Sequence, residues 1–140
     1  ESNGDMGKAS EILKQKGLLT AINKSSRETS EGLVECYIHT GGRVGAIIEL
    51  NCETDFVART PEFKELAHNL AMQVAAMAPT YLDYNSVPES ESATPEESCL
   101  MEQSFIKDPT TTIRDLINDT VGRVGENIRI RRFQRFSLGE

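Results

Sequence analysis

The feature that most constrains the fold is an amphipathic stretch at residues 60–78, directly preceded by two strand-like segments. Thr60 is a favourable N-cap, and Pro61 suits the first helical position because no N–H is needed there. Pro79 ends the pattern. The apolar residues at helical spacing are Phe63, Leu66, Ala67, Leu70, Ala71, Val74 and Met77. This spacing predicts one long helix whose apolar face must cover another element.

The element to be covered is a predicted β-hairpin formed by residues 33–40 and 44–50, with Gly41 and Gly42 in the turn. A two-residue turn would pair Cys36 with Ile47. A three-residue loop would instead place one set of apolar side chains on a single face. That set is Val34, Cys36, Ile38, Val44, Ala46, Ile48 and Leu50. A one-residue slip moves every side chain of a strand to the other face, so burial favours the three-residue loop.

The flanking segments differ in character. Residues 5–16 predict a short helix that ends at Gly17, and the polar residues 24–31 predict a linker. Residues 83–98 are acidic, rich in serine and poor in apolar side chains, which predicts a flexible loop.

The C-terminal part predicts one more helix and one more strand. The helix covers residues 112–121, with Thr112 as its cap, and Gly122 and Gly125 are expected to break it. The strand covers residues 128–136, and its alternation shifts near Arg131, which predicts a β-bulge. The order of elements predicts an α+β fold: a three-stranded antiparallel sheet, made of the hairpin and the C-terminal strand, covered by helices.

Composition excludes several classes of function. At 140 residues with a net charge of −7, the chain has no general basic field for nucleic acid. It lacks the run of about 18 apolar residues that a membrane span requires, and it opens without the pattern of a targeting peptide. Three widely spaced cysteines predict free thiols in a reducing compartment. Cys36 and His39 would point to opposite faces of a strand, so neither a metal site nor a cofactor is expected.

The C-terminal strand is the only basic patch. Its arginines are interleaved with Phe133 and Phe136, and aromatic residues among arginines on a sheet can stack bases. The alternative is a solvated face on which the arginines pair with the surplus acids. The second interpretation is favoured by the overall negative charge.

The junction between the hairpin and the long helix, residues 51–59, leaves two interpretations open. Phe56 and Val57 could both plug the core beneath the junction. Alternatively, Phe56 beside Asp55 could be presented on an exposed loop, since loops on rigid scaffolds concentrate function.

A family resemblance bears on this choice. Residues 49–59, from Glu49 through Thr54-Asp55-Phe56-Val57 to Arg59, with Glu62-Phe63 and Leu66-Ala67 after them, closely resemble the signature region of the elongation factor Ts family. Asn3-Gly4-Asp5, Ala9 and Gly17 resemble the second half of that family's N-terminal ubiquitin-associated-like module. Gly125-Glu126-Asn127-Ile128, Arg131-Arg132-Phe133 and Arg135-Phe136 resemble the end of the short form found in some bacteria and chloroplasts.

The resemblance implies a guanine nucleotide exchange factor, which is not an enzyme of covalent change. It implies binding to elongation factor Tu, both GDP-bound and nucleotide-free, and release of GDP when Asp55 and Phe56 enter near the nucleotide and magnesium site. Val57 would anchor the loop. The implied partner-binding residues are Asn51, Cys52, Thr54, Asp55, Phe56 and Val57. Neither direct nucleic-acid binding nor membrane association is expected, and the place of action would be the bacterial cytoplasm or an organelle stroma or matrix.

The resemblance also implies a domain division. Residues 1–18 would be a partial ubiquitin-associated-like helical module, residues 19–31 a linker, and residues 32–140 the core and dimerisation domain with the flexible loop 83–98. Short family members dimerise through the core domain, so a homodimer is a further expectation. The alternative function is a ribosome-associated or structural protein that retains the domain without exchange activity.

Overall fold

The structure, a computed structural model, describes residues 6–140, with the backbone alone for residues 6–10 and 13. The helices are α1 (Met6–Lys24), α2 (Asp55–Ala58), α3 (Pro61–Met77), α4 (Pro95–Ser98) and α5 (Ile113–Val124). The strands are β1 (Glu31–Ile38), β2 (Val44–Cys52), β3 (Ser104–Phe105), β4 (Asp108–Thr112) and β5 (Arg129–Ser137). Two short 3₁₀ segments, Tyr84–Ser86 and Leu100–Glu102, lie between α3 and β3.

The main sheet has three antiparallel strands in the order β1-β2-β5. Helix α3 packs across β1 and β2, and α5 contacts α3, so one face of the sheet is covered by helices. The core between them includes Ile48 and Leu50 from the sheet and Phe63 and Leu70 from α3, each at most 1% exposed. The predicted α+β fold with a three-stranded antiparallel sheet is therefore confirmed. The two-stranded ribbon of β3 and β4 was not predicted.

The start of α3 and the irregularity in β5 follow the sequence prediction. The Thr60 hydroxyl accepts a hydrogen bond from Phe63 N at 3.3 Å, and Pro61 occupies the first helical position. In β5, Glu49 pairs with Arg132 but Leu50 pairs with Ile130, which leaves one extra residue between the two pairs. The predicted bulge near Arg131 is confirmed.

The predicted hairpin register is wrong. Leu33 pairs with Leu50 and Cys36 with Ile47, which is the register that the burial argument rejected. Val34 and Ile38 consequently lie on the outer face of the sheet, 60% and 64% exposed.

The physical reason is that β1 is an edge strand lying at the margin of α3. Its inward positions include Glu35 and Tyr37, both half-buried. His68 of α3 accommodates them, because its Nδ1 lies 3.2 Å from the Glu35 carboxylate and its ring meets that of Tyr37 edge-on at 5.8 Å. Polar contacts to the helix margin thus replace the fully apolar face that the sequence prediction assumed.

Two glycines predicted to end helices lie inside them. Helix α1 continues past Gly17 to Lys24, and α5 continues past Gly122 and is capped at Gly125, where φ is 77°. A Cβ at Gly17 would lie 3.0 Å from the carbonyl oxygen of Asn118, and one at Gly122 would lie 3.3 Å from Gly17 Cα. The glycines therefore permit the close packing of α1 on α5. Residues 19–24 belong to α1, while the predicted domain division stays a prediction.

Candidate functional site

The residues between β2 and α3 form a short helical turn with a capping side chain at each end. At its start the Thr54 hydroxyl accepts a hydrogen bond from Val57 N at 3.3 Å, and Thr54 is the N-cap of α2. At its end the Thr60 hydroxyl donates to Val57 O at 2.7 Å, while the same residue caps α3. Side-chain capping satisfies backbone groups that would otherwise be unpaired at helix ends. We call residues 54–57 the 54–57 loop.

The 54–57 loop separates an exposed side from a buried side. Phe56 is 77% exposed, whereas Val57 and Ala58 are each 4% exposed and belong to the core. Asp55 points outward with Phe56 and forms an ion pair with Arg59. The structure confirms the interpretation in which Phe56 projects outward and Val57 anchors the loop. That these residues bind a partner stays a prediction.

The remaining predicted site residues lie at the base of the loop. Asn51 is half-buried near the end of β2, opposite Gly32 of β1 and Arg129 of β5. Cys52 is fully buried, and its Sγ donates to the Thr54 carbonyl oxygen at 3.2 Å. Burial is the main cause that raises the pKa of the Cys52 thiol to about 11, with the negative charge of Glu126 adding to it. Cys52 therefore stays protonated at neutral pH and supports the loop from below.

A carboxylate from the other end of the chain completes the site. Glu126 lies between α5 and β5, and its Oε1 accepts hydrogen bonds from Glu53 N at 3.1 Å and Thr54 N at 3.0 Å. Its Oε2 accepts from the Thr54 hydroxyl at 2.7 Å. In return, Glu53 Oε2 accepts from Asn127 N at 2.6 Å. We call these four contacts the Glu53–Glu126 clamp. No role was predicted for Glu126 from the sequence, although Gly125-Glu126-Asn127-Ile128 belongs to the family resemblance.

The clamp also receives the segment that follows α1. Asn127 Nδ2 donates to the carbonyl oxygen of Arg27 at 2.8 Å, and the Arg27 guanidinium lies 3.5 Å from the Glu53 carboxylate. Arg129 donates to the carbonyl oxygen of Ser25 at 3.1 Å. The segment before β1 is therefore attached beside the base of the 54–57 loop.

The basic strand β5 resembles the ion-paired alternative more than a base-stacking platform. Arg132 pairs with Glu49 at 2.9 Å, and Arg135 donates to a carbonyl oxygen of α3 at 3.0 Å. Phe133 packs against the core, whereas Phe136 is 65% exposed on the opposite face. The two aromatic rings therefore do not share one surface.

The outer face of the three-stranded sheet is apolar around its centre and its hairpin end. The side chains that form it are Val34, Cys36, Ile38, Ile47 and Phe136. All five side chains are exposed to solvent, and none of the helices described covers this face. An exposed apolar patch of this kind is typical of an interaction surface.

Residues 6–140 contain no group of three or more His, Cys, Asp or Glu side chains that could hold a metal ion. Within the same residues, no helix combines the length and the apolar character that a membrane crossing needs.

Comparison with known proteins agrees with the resemblance. The family described as "Elongation factor TS" matches residues 19–97. Elongation factor Ts of Moorella thermoacetica is 46% identical over an alignment of 170 positions, which covers 100% of this chain and 84% of the relative.

Two other relatives support the same assignment. Elongation factor Ts of Carboxydothermus hydrogenoformans is 45% identical, with 100% of this chain and 78% of the relative covered. That of Thermotoga sp. (strain RQ2) is 46% identical, with 100% of this chain and 84% of the relative covered. The chain therefore belongs to the elongation factor Ts family of translation elongation factors.

Proposed function

We propose that the chain is a guanine nucleotide exchange factor that binds elongation factor Tu and promotes release of GDP through the 54–57 loop. The observation that carries this proposal is the exposure of Phe56, 77%, on a turn whose neighbours Val57 and Ala58 are buried. A large aromatic held outward by a rigid base is the arrangement expected of an interface hot spot. Asp55 beside it would meet the same region of the partner, and in the free chain it is ion-paired with Arg59.

Binding of this kind can release a nucleotide because the two ligands are linked. Suppose that the exchange factor binds better to the GTPase without nucleotide. GDP then lowers the affinity of the GTPase for the exchange factor, and the exchange factor lowers the affinity of the GTPase for GDP by the same factor. The exposed ring of Phe56 would supply the differential affinity by packing only where the nucleotide site is distorted. The chain would bind both the GDP-bound and the nucleotide-free states and undergo no covalent change itself.

The test is the dissociation of fluorescently labelled GDP from elongation factor Tu, followed after addition of excess unlabelled nucleotide. The expected result is a release rate that rises with the concentration of the chain and then saturates. A release rate that stays at the intrinsic value would contradict the proposal. Salt-sensitive cosedimentation with ribosomes, combined with that result, would support the alternative of a ribosome-associated protein.

We also propose that a second copy of the chain covers the outer face of the sheet. The exposed residues Val34, Ile38 and Ile47 form an apolar surface on strands that do not pack against a helix there. Two such faces would make a sandwich of sheets, and burial would remove the apolar surface from water. Dimerisation would leave the 54–57 loop free. The hairpin turn lies at the start of β2, whereas the loop follows the end of that strand.

Sedimentation equilibrium tests the homodimer. Ile47→Lys introduces a charge at the centre of the outer face and should convert a dimer into a monomer. Met77→Lys is the matched control, because Met77 is similarly exposed, 47% against 42%, but lies at the end of α3. A wild-type chain that sediments as a monomer at all accessible concentrations would refute the proposal. The site of action that we propose is the bacterial cytoplasm or an organelle stroma or matrix.

A further inference from the structure

The 54–57 loop is held by a residue that lies about half the chain away. Glu126 accepts hydrogen bonds from two consecutive backbone N–H groups, of Glu53 and Thr54, and from the Thr54 hydroxyl. The heavy-atom distances are 3.1, 3.0 and 2.7 Å. Hydrogen bonds to a carboxylate are stronger than those between neutral groups. Glu126 therefore fixes the backbone at the point where the chain leaves β2.

The contact is reciprocal. The carboxylate of Glu53 accepts a hydrogen bond from Asn127 N at 2.6 Å, so the loop segment also orients the residue next to Glu126. Glu53 and Asn127 are both largely shielded from solvent, and the Glu53 carboxylate lies 3.5 Å from the Arg27 guanidinium. If either segment moved away alone, these hydrogen bonds would be lost and bonds to water would have to replace them.

The clamp reaches Phe56 through one hydroxyl group. The Thr54 hydroxyl donates its hydrogen to Glu126 Oε2 and accepts from Val57 N. Because its single hydrogen is used by Glu126, its lone pairs are directed to the turn that it caps. Both residues between Thr54 and Val57, Asp55 and Phe56, project into solvent. Glu126 thus orients the cap of the turn that presents this ring.

We propose that Glu126 is a positioning residue, which pre-organises the 54–57 loop so that Phe56 meets the partner in its binding conformation. The inference rests on the proposed function, since it assigns a role within the same site. The exposed side of the loop gains little from packing, because Asp55 and Phe56 are exposed and only Val57 and Ala58 enter the core. Without the clamp, the competent conformation would be a smaller fraction of the free chain, and apparent affinity falls in proportion to that fraction.

The test compares Glu126→Ala with Glu126→Gln. The alanine variant loses all three hydrogen bonds. The glutamine variant keeps an oxygen for both backbone N–H groups, and its amide N–H₂ can donate to the Thr54 hydroxyl, whose second lone pair still accepts from Val57 N. We expect Glu126→Ala to raise the half-saturating concentration in the GDP-release assay about tenfold, with the maximal rate retained. Glu126→Gln should remain within about threefold of the wild type.

A control and a direct probe separate positioning from stability. Ile117→Val removes a methylene from the core of α5, away from the 54–57 loop, and should lower Tm without changing the half-saturating concentration. Hydrogen exchange of the free chain reports the clamp itself: the amides of Glu53 and Thr54 should exchange faster in Glu126→Ala, while those of α3 keep their protection.

The outcomes distinguish this inference from the proposed function. If Phe56→Ala changes GDP release but a folded Glu126→Ala does not, the positioning role is refuted while the exchange function stands. If neither the wild type nor any variant accelerates release, the exchange function is refuted, and hydrogen exchange alone then decides whether Glu126 orders the loop. An additive loss in the double variant Phe56→Ala/Glu126→Ala would also overturn the inference, because residues that act through one another are not additive.

Discussion

Replacing Phe56 by alanine should remove most of the binding to elongation factor Tu and leave the fold unchanged. The ring is 77% exposed, so truncation creates no cavity, and surface substitutions of this kind change the free energy of unfolding by about 0.5 kcal/mol or less. The ring contributes to binding through the apolar area that a partner would bury. This contrast between stability and binding is the strongest consequence of the loop geometry.

The size of the binding effect follows from the exposed area. A phenylalanine buries roughly 150–250 Å² when it is fully enclosed. With about three-quarters of it still available, about 150 Å² remains for an interface, which corresponds to at most about 4 kcal/mol at 25 cal/mol per Å². Measured hot spots cost about 2–4 kcal/mol on truncation, so the affinity should fall by roughly 30- to 1,000-fold.

The assay is stopped-flow release of labelled GDP over a concentration series, together with a thermal melt of each variant. Tyr84→Ala is the matched control, because Tyr84 is also a 60%-exposed aromatic but lies in a 3₁₀ segment after α3. We expect Phe56→Ala to melt like the wild type and to need a much higher concentration for the same release. A folded Phe56→Ala variant with wild-type release would refute the reasoning, and a large drop in its Tm would show that the ring supports the core.

Three further predictions concern the scaffold. Gly32→Ala should lower the free energy of unfolding by roughly 3 kcal/mol or more in urea titrations, because φ is +148° and the new Cβ would lie 2.1 Å from Leu50 O; a change below about 1 kcal/mol would contradict this geometry. Gln73→Leu should lower the free energy of unfolding by about 2–4 kcal/mol in the same titration. The fully buried carboxamide makes three hydrogen bonds, and leucine would leave their partner groups without one. Cys52 should contribute a loss of stability as pH rises from about 9 to about 11, because the unfolded thiol ionises first; this loss should disappear in Cys52→Ala, and Cys52 should not react with thiol reagents in the folded chain.

The sequence predicted the elements whose signals are local. Thr60 and Pro61 marked the start of α3 because capping and the missing N–H of proline act within one turn. Thr112 marked the start of α5 for the same reason, and its hydroxyl accepts from Asp115 N at 3.1 Å. The bulge near Arg131 was visible as a break in alternation within a single strand. Each of these features depends on neighbours a few residues apart.

The failures at Gly17, Gly122 and Val34 each involve a second segment. Gly17 and Gly122 resembled helix ends in isolation, yet each lies in a helix where α1 and α5 approach closely. The outward position of Val34 differs from the prediction because β1 is an edge strand beside His68, and no residue near Val34 in the sequence indicates this. The residues next to a glycine or a valine in the sequence do not indicate which surface it will pack against.

The candidate site shows the same division. The sequence by itself placed residues 51–59 at the junction between a strand and a helix, and the family resemblance drew attention to Phe56. Only the tertiary structure brought Glu126 against Thr54, 72 residues away, and thereby decided what holds the turn in place. Capping and periodicity are short-range effects that can be read along the chain. A hydrogen bond between distant segments exists only after the sheet and helices have packed.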